Sequence, residues 1–190
     1  MTTKNLISRL ATIFKAMVKN HDDYGMVWKN IPLAEEAFTI LTEELHDYVP
    51  DEIENEADKA KLVVNMLGCM DALSTPRFCL RLWDYVKQTS PEMADDEEMQ
   101  KLRDYIDLDI PTDEWREKYH KTLKFDDVER SEEWERYIYE VEKKVDAEMK
   151  GTPRGMGFCF GYWSAKRSVL ERYGIEWRSP RQMNPRVLFD

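Results

Sequence analysis

Thr75-Pro-Arg-Phe-Cys-Leu-Arg-Leu-Trp-Asp-Tyr-Val-Lys-Gln-Thr-Ser-Pro91 is the stretch whose reading decides the fold, because a hydroxyl residue stands directly before proline at each end. Thr152-Pro153 repeats the arrangement. Each pair places a capping hydroxyl before a proline at the first helical position, where the missing N–H would have had no intrahelical partner anyway. The three pairs predict helices from about Pro76 to Gln88, Pro91 to Ile106 and Pro153 to Tyr173.

Outward from that stretch the pattern stays helical. Leu6, Ile7, Leu10, Ile13, Phe14, Met17 and Val18 fall on one stripe, with Thr3 as the expected cap. Residues 20–32 read as a connection with Gly25 at its turn and Trp28 as an anchor. A second helix is predicted from Leu33 to Tyr48, with Ala34, Ala37, Phe38, Leu41 and Leu45 inward. Pro50-Asp51 ends it and opens a third, whose apolar half carries Leu62, Val63, Met66, Leu67 and Met70. Thr112 starts a short helix with Trp115 and Tyr119. Ser131 starts a longer one with Trp134, Tyr137, Ile138, Val141, Val145 and Met149. Gly174 is the expected left-handed stop, with Ile175 folding back, and Ser179-Pro180 opens a last turn. Alternating strand-like runs are missing, and no fixed-period repeat is found. The expectation is an all-α single domain, 1–190, a bundle of seven or eight helices. If it divides, it divides near 88–92 or near Gly151, setting off a C-terminal helical unit at 151–190.

Apolar residues at 42% and charged residues at 35% exclude a wholly disordered chain. No run approaches the ~20 apolar residues of a membrane span. Ile13 and Phe14 lie between Arg9 and Lys15, so the start lacks the apolar core of a signal peptide, and a cytoplasmic location is expected. Cys69, Cys79 and Cys159 read as buried thiols in a reducing compartment. The net charge of −10 is uneven: +4 over residues 1–20, −19 over 21–149 and +5 over 150–190. An acidic body of this strength repels a phosphate backbone, so it is not expected to bind nucleic acid directly. The basic tail could meet an anion or dock on the acidic body.

Several constellations are candidates for chemistry. Glu43, Glu44 and Asp47 share a helix face by their spacing, and Glu54 and Asp58 form an i, i+4 pair on the next helix. Carboxylates converging from adjacent helices could hold Mg²⁺. The Glu-Glu-x-x-Asp string resembles the first acidic motif of the all-α nucleotide pyrophosphohydrolases of the MazG type. That resemblance implies a metal-dependent hydrolase, but no glutamate stands three residues before Asp71 to supply the family's second motif. A solvated face is the simpler reading, with no cofactor. His21, His46 and His120 sit in no nucleophile motif, and the cysteines lack zinc spacing. Gly151-Thr-Pro-Arg-Gly-Met-Gly157 has the glycines of a phosphate cradle without a P-loop ending, and reads as a helix connection. Gly157, Gly161 and Ala165 form a small-residue stripe that predicts close approach of another helix, so Gly161→Ala is expected to destabilise. Phe158, Tyr162, Ala165, Val169 and Tyr173 form a ridge beside it, expected in the core.

The last 34 residues, with Tyr162-Trp163, Lys166-Arg167, Tyr173-Gly-Ile-Glu-Trp177, Ser179-Pro180 and Asn184-Pro185 running to Phe189-Asp190, resemble the ending of uncharacterised proteins of bacteriophages and gut Bacteroidetes. Those tails commonly carry histidine where this chain has Phe160. The resemblance implies a phage or mobile-element origin and no activity. Val187, Leu188 and Phe189 are expected to return to the core. The functional expectation is a non-enzymatic acidic interaction module that binds a basic protein surface through Asp95, Asp96, Glu97 and Glu98, possible as an inhibitor or nucleic-acid mimic. The alternatives are the Mg²⁺-dependent hydrolase and a self-associating structural scaffold.

Overall fold

The computed structural model describes residues 2–23, 25–45 and 56–189, with the side chains of 56 and 57 left out. Among them lie nine α-helices, eight of seven residues or more, and no strand, so the all-α class is correct. They are α1 Thr3–Asp22, α2 Asn30–Thr39, α3 Glu56–Leu67, α4 Pro76–Thr89, α5 Asp96–Ile106, α6 Thr112–Lys118, α7 Glu132–Glu148, α8 Phe158–Glu171 and α9 Pro180–Met183. The chain divides into two compact units, Met1–Leu102 and Arg103–Asp190, with the division inside α5.

In the first unit the predicted stripe of α1 buries Leu6, Leu10, Ile13 and Met17, whereas Val18 is exposed. Ala34, Ala37, Leu41 and Leu45 turn inward as predicted. The end of α2 widens into a π-type turn, Ile40–Glu44, that closes with the Leu45 N–H donating to the Ile40 carbonyl at 2.9 Å. Asn30 is fully buried and ties three segments together. Its Nδ2 donates to the carbonyls of Met17 (3.0 Å) and Cys69 (2.8 Å), and its Oδ1 accepts from Asn20. Lys59 is also buried, donating to the Leu45 carbonyl at 3.0 Å. Phe38 meets Phe78 and Tyr85 edge-on, at 6.4 and 5.6 Å, and fixes α2 against α4.

The Ser/Thr-Pro pairs behave less uniformly than the sequence implies. Pro76 starts α4, but the Thr75 hydroxyl turns toward the Asp71 carbonyl and the Cys79 thiol instead of capping. Pro91 opens a single 3-10 turn, Pro91–Met93, and Ala94 is extended. The true cap of α5 is Asp95, whose Oδ1 accepts from the Glu98 N–H at 2.9 Å. Pro153 starts no helix. α8 begins five residues later, with Gly157 at φ +81° as its cap, a conformation that favours glycine.

In the second unit Trp115 is fully buried against Tyr105, Tyr119 and Phe125. Ser131 caps α7 by accepting from the Trp134 N–H, as its position predicts. Gly174, at φ +76°, stops α8, and the Ile175 N–H returns to the Leu170 carbonyl at 3.1 Å while Ile175 itself is buried. Arg130, directly before the cap of α7, is 1% exposed. Its guanidinium donates to the carbonyls of Asp104, Tyr105, Asp107 and Ile110, which end α5 and form the turn after it.

Two expectations for the tail are overturned. Gly161 is exposed, and a Cβ there would meet the end of the Met149 side chain at 3.4 Å. Gly157 lies outside the helix interior, so the small-residue stripe is no groove for a neighbouring helix. The chain end does not return to the core either: Leu188 is 97% exposed, Val187 is exposed, and Phe189 meets the edge of Trp163 at 5.0 Å. Of the cysteines, Cys79 is buried, while Cys69 and Cys159 are half-buried.

Gly161→Ala is therefore expected to stabilise the protein by about 0.5–1 kcal/mol, the usual helix-propensity gain, and to raise the urea midpoint. A lowered midpoint would place a close neighbour against that face. Arg130→Met is expected to cost about 3 kcal/mol or more, because it strands four carbonyls that α5 and its turn direct at one guanidinium. An unchanged midpoint would show that water serves them equally well.

Candidate functional site

The acidic run expected to meet a partner is built into the start of α5. Asp95 caps the helix, Asp96 pairs with Lys87 at 2.5 Å, and Glu98 pairs with Lys101 at 2.6 Å. Glu97 is exposed, and the Asp96 side chain remains 74% exposed despite its partner. The same arrangement recurs where α6 and α7 begin: Asp113 and Glu114, then Glu132 and Glu133, are all exposed in first turns. Carboxylates there offset the partial positive charge of the helix start, by ~0.3–1 kcal/mol each. Local helix physics thus explains why the acidic residues cluster in sequence, and it also leaves them facing outward.

Of the carboxylates considered for Mg²⁺, Glu43 and Glu44 are exposed on the π-type turn and Asp58 is half-buried in α3. Asp47 and Glu54, with His46, lie outside the described residues. Among the described residues no group of three or more His, Cys, Asp or Glu side chains could hold a metal ion. Asp71 forms a turn, accepting from the Leu73 N–H and the Ser74 hydroxyl. His21 and His120 are exposed.

The basic tail spends much of its charge inside its own unit. Lys166 donates to Glu142 at 2.7 Å, Arg178 pairs with Asp126 at 2.9 Å, Arg172 with Glu148 at 3.1 Å, and Arg154 approaches Asp146 at 4.0 Å. The Lys166 ammonium also faces the rings of Trp134 (4.8 Å), Trp177 (5.5 Å) and Tyr162 (5.9 Å). Tyr162 donates to the second oxygen of Glu142, and Tyr137 packs on Tyr173 at 4.7 Å. The predicted aromatic ridge thereby faces α7. Beside it, Trp177 Nε1 donates to Glu129 at 2.8 Å, and the Asp126 N–H donates to the same oxygen. Burial holds the Glu129 carboxyl above its ordinary range, against the pull of Trp177 and Lys166. Asp126 is also pushed up by burial, but the Arg178 side chain and N–H and the Val128 N–H outweigh this and hold it below its ordinary range.

The opposite wall of α8 escaped the sequence reading, although its signal was present. Phe160, Trp163, Ser164 and Arg167 follow i, i+3, i+4, i+7 and line one side of a cleft of about 230 Å³. Ser179, Arg181 and Gln182 at the start of α9 line the other side. A larger hollow of about 470 Å³ lies by Leu108, Pro111 and Met183, where Thr112 bonds to Asp127 and Lys124 to Asp113. No helix among the described residues is long and apolar enough to cross a membrane. No protein-family model matches the chain, and no curated protein or solved structure matches it either.

Glu129 and Asp126 affect stability with opposite signs. Asp126 stabilises above its ordinary value of 3.8, and that contribution is lost as pH falls through its lower folded-state value. Glu129 resists ionisation in the fold, so its contribution is intact below 4.5 and is lost as pH rises through its higher folded-state value. Glu129→Gln keeps the acceptor for Trp177 and removes the titration. Its urea midpoint should gain on the wild type as pH rises from below 4.5 toward neutrality; an offset that is the same at every pH would show that burial of this charge is not the cause.

Proposed function

We propose that the protein is a non-enzymatic interaction module whose exposed carboxylates engage a basic protein surface, in the manner of an inhibitor or nucleic-acid mimic. The observation that carries this reading is the repeated placement of exposed acidic side chains in the first turns of α5, α6 and α7. Within α5, Asp95 and Glu98 hold the helix start together, and Asp96 and Glu97 are the side chains most available to a partner. The net charge of −10 adds a long-range attraction for a basic surface. Charge of this kind raises association rates by orders of magnitude at low salt and is screened over roughly 10 Å at 0.1 M ionic strength.

The test begins with a basic protein that co-purifies with the chain from its native host and binds it in purified form. Association is then followed by surface plasmon resonance across a salt series. The expected rate falls about tenfold or more from low to high salt, and Asp96→Lys with Glu97→Lys lowers it further while leaving the Asp95 cap intact. A rate indifferent to salt would overturn the electrostatic reading. Full binding by the double variant would exclude the start of α5 as the contact.

A further inference from the structure

We propose that the cleft between the outer wall of α8 and the start of α9 binds a small phosphate monoester carrying a single ring. The chemistry of its lining sets it apart from the rest of this acidic chain. Two arginines, Arg167 and Arg181, share the cleft with Phe160, Trp163, Ser164 and Gln182, and among the described residues no carboxylate lines it. Arg154, Lys166, Arg172 and Arg178 of the same tail each have an acidic partner. Arg167 and Arg181 are exposed, and among the described residues neither is paired with a carboxylate.

The two guanidiniums do not occupy the cleft on equal terms. Arg181 sits with its Cζ 4.8 Å from the centre of the Phe160 ring. A cation–π contact of this length anchors the guanidinium through its carbon, and its N–H groups remain the donors available to an anion. The anchoring also lowers the entropy lost when the anion binds. Its base is fixed as well: the Ser179 N–H that starts α9 donates to Gln182 Oε1 at 2.9 Å, and Asn184 at the far end bonds to the Lys124 backbone. Arg167 comes from α8, so the two arginines are carried by separate rigid elements of one unit.

Phosphate is favoured over carboxylate because it has three terminal oxygens and close to two charges, which two guanidinium forks satisfy and one carboxylate does not. Ser164 adds a neutral hydroxyl. The size of the ligand follows from the volume. At about 230 Å³ the cleft is below the ~300–1,000 Å³ of pockets for drug-sized molecules, so it suits a phosphate with one ring and not a dinucleotide. Trp163, held edge-on between Phe160 (5.8 Å) and Phe189 (5.0 Å), supplies the apolar wall for that ring.

The inference is independent of the acidic contact surface: it concerns the opposite charge on other residues, and either can fail alone. Calorimetry on the full chain with phenyl phosphate, inorganic phosphate and benzoate separates its parts. Phenyl phosphate is expected to bind saturably, with inorganic phosphate and benzoate each about tenfold weaker or worse. Arg167→Gln and Arg181→Gln should each weaken phenyl phosphate by about tenfold, with unchanged urea midpoints, because each removes a charged hydrogen-bond donor. Arg186→Gln removes an equal charge that does not line the cleft, and should leave binding unchanged. Trp163→Leu should abolish the preference for phenyl phosphate over phosphate. No saturable heat with phenyl phosphate overturns the proposal. So does benzoate binding as tightly as phenyl phosphate, or Arg186→Gln weakening it as much as the cleft variants do.

Discussion

The second unit depends on one buried cation. Arg130 is almost fully removed from water, and an isolated charge in that position would cost several kcal/mol. Four backbone carbonyls around the end of α5 and the following turn meet its N–H groups, and Asp127 approaches at 3.5 Å. The end of a helix is where carbonyls lack partners and the backbone dipole is negative. One side chain therefore satisfies the acceptors that α5 leaves behind and has its own charge neutralised in return. It also fixes the segment just before α7, whose cap, Ser131, is the next residue. Tyr105 lies beneath the guanidinium and passes the constraint to Trp115 and Phe125.

With the start of α7 fixed, the uneven charge of the sequence acquires a structural meaning. The tail after residue 150 is basic, and much of that charge is spent on carboxylates between residues 126 and 148. The Lys166–Glu142 pair is the best sheltered of these, enclosed by three aromatic rings. Exposed pairs such as Arg172–Glu148 contribute little by themselves, so the tail is held mainly by buried Val169, Leu170, Ile175 and Trp177. The ion pairs select the register in which those residues meet α7. Two arginines on the outer wall of α8 and the start of α9 take no part in this pairing, and their charge is turned to the cleft instead.

The carboxylates have a comparable double role. Asp95 and Glu98 on α5, Asp113 on α6 and Glu132 on α7 all lie where a helix start favours negative charge. Helix-start physics alone accounts for their positions, and it leaves acidic side chains at the surface of each unit. The acidic run at 95–98 was legible as a run, but its first residue proved to be a cap. The α8 wall of the cleft is likewise present in the sequence as a spacing of four residues, Phe160, Trp163, Ser164 and Arg167, opposite the more aromatic ridge that faces α7. The ridge is the more apolar face and its packing against α7 follows from the pattern, whereas the cleft needs Arg181 and Gln182 of α9 to close it, which no spacing within α8 can show.

The sequence by itself determined which segments are helical and several of their ends. The apolar stripe of α1, the Ser131 cap and the Gly174 stop are short-range features, written within about four residues and governed by hydrogen bonds of the same range. Tertiary structure decided everything that depends on distant residues. Arg178 finds Asp126 and Asn184 finds Lys124 across 52 and 60 positions, and Arg130 finds Asp104 across 26. The late start of α8, the exposure of Gly161 and the open end at Leu188 belong to the same class. A local pattern states what a helix could bury; only the presence of another segment against it decides what it does bury, because burial is a property of two surfaces and the sequence of one segment describes a single surface.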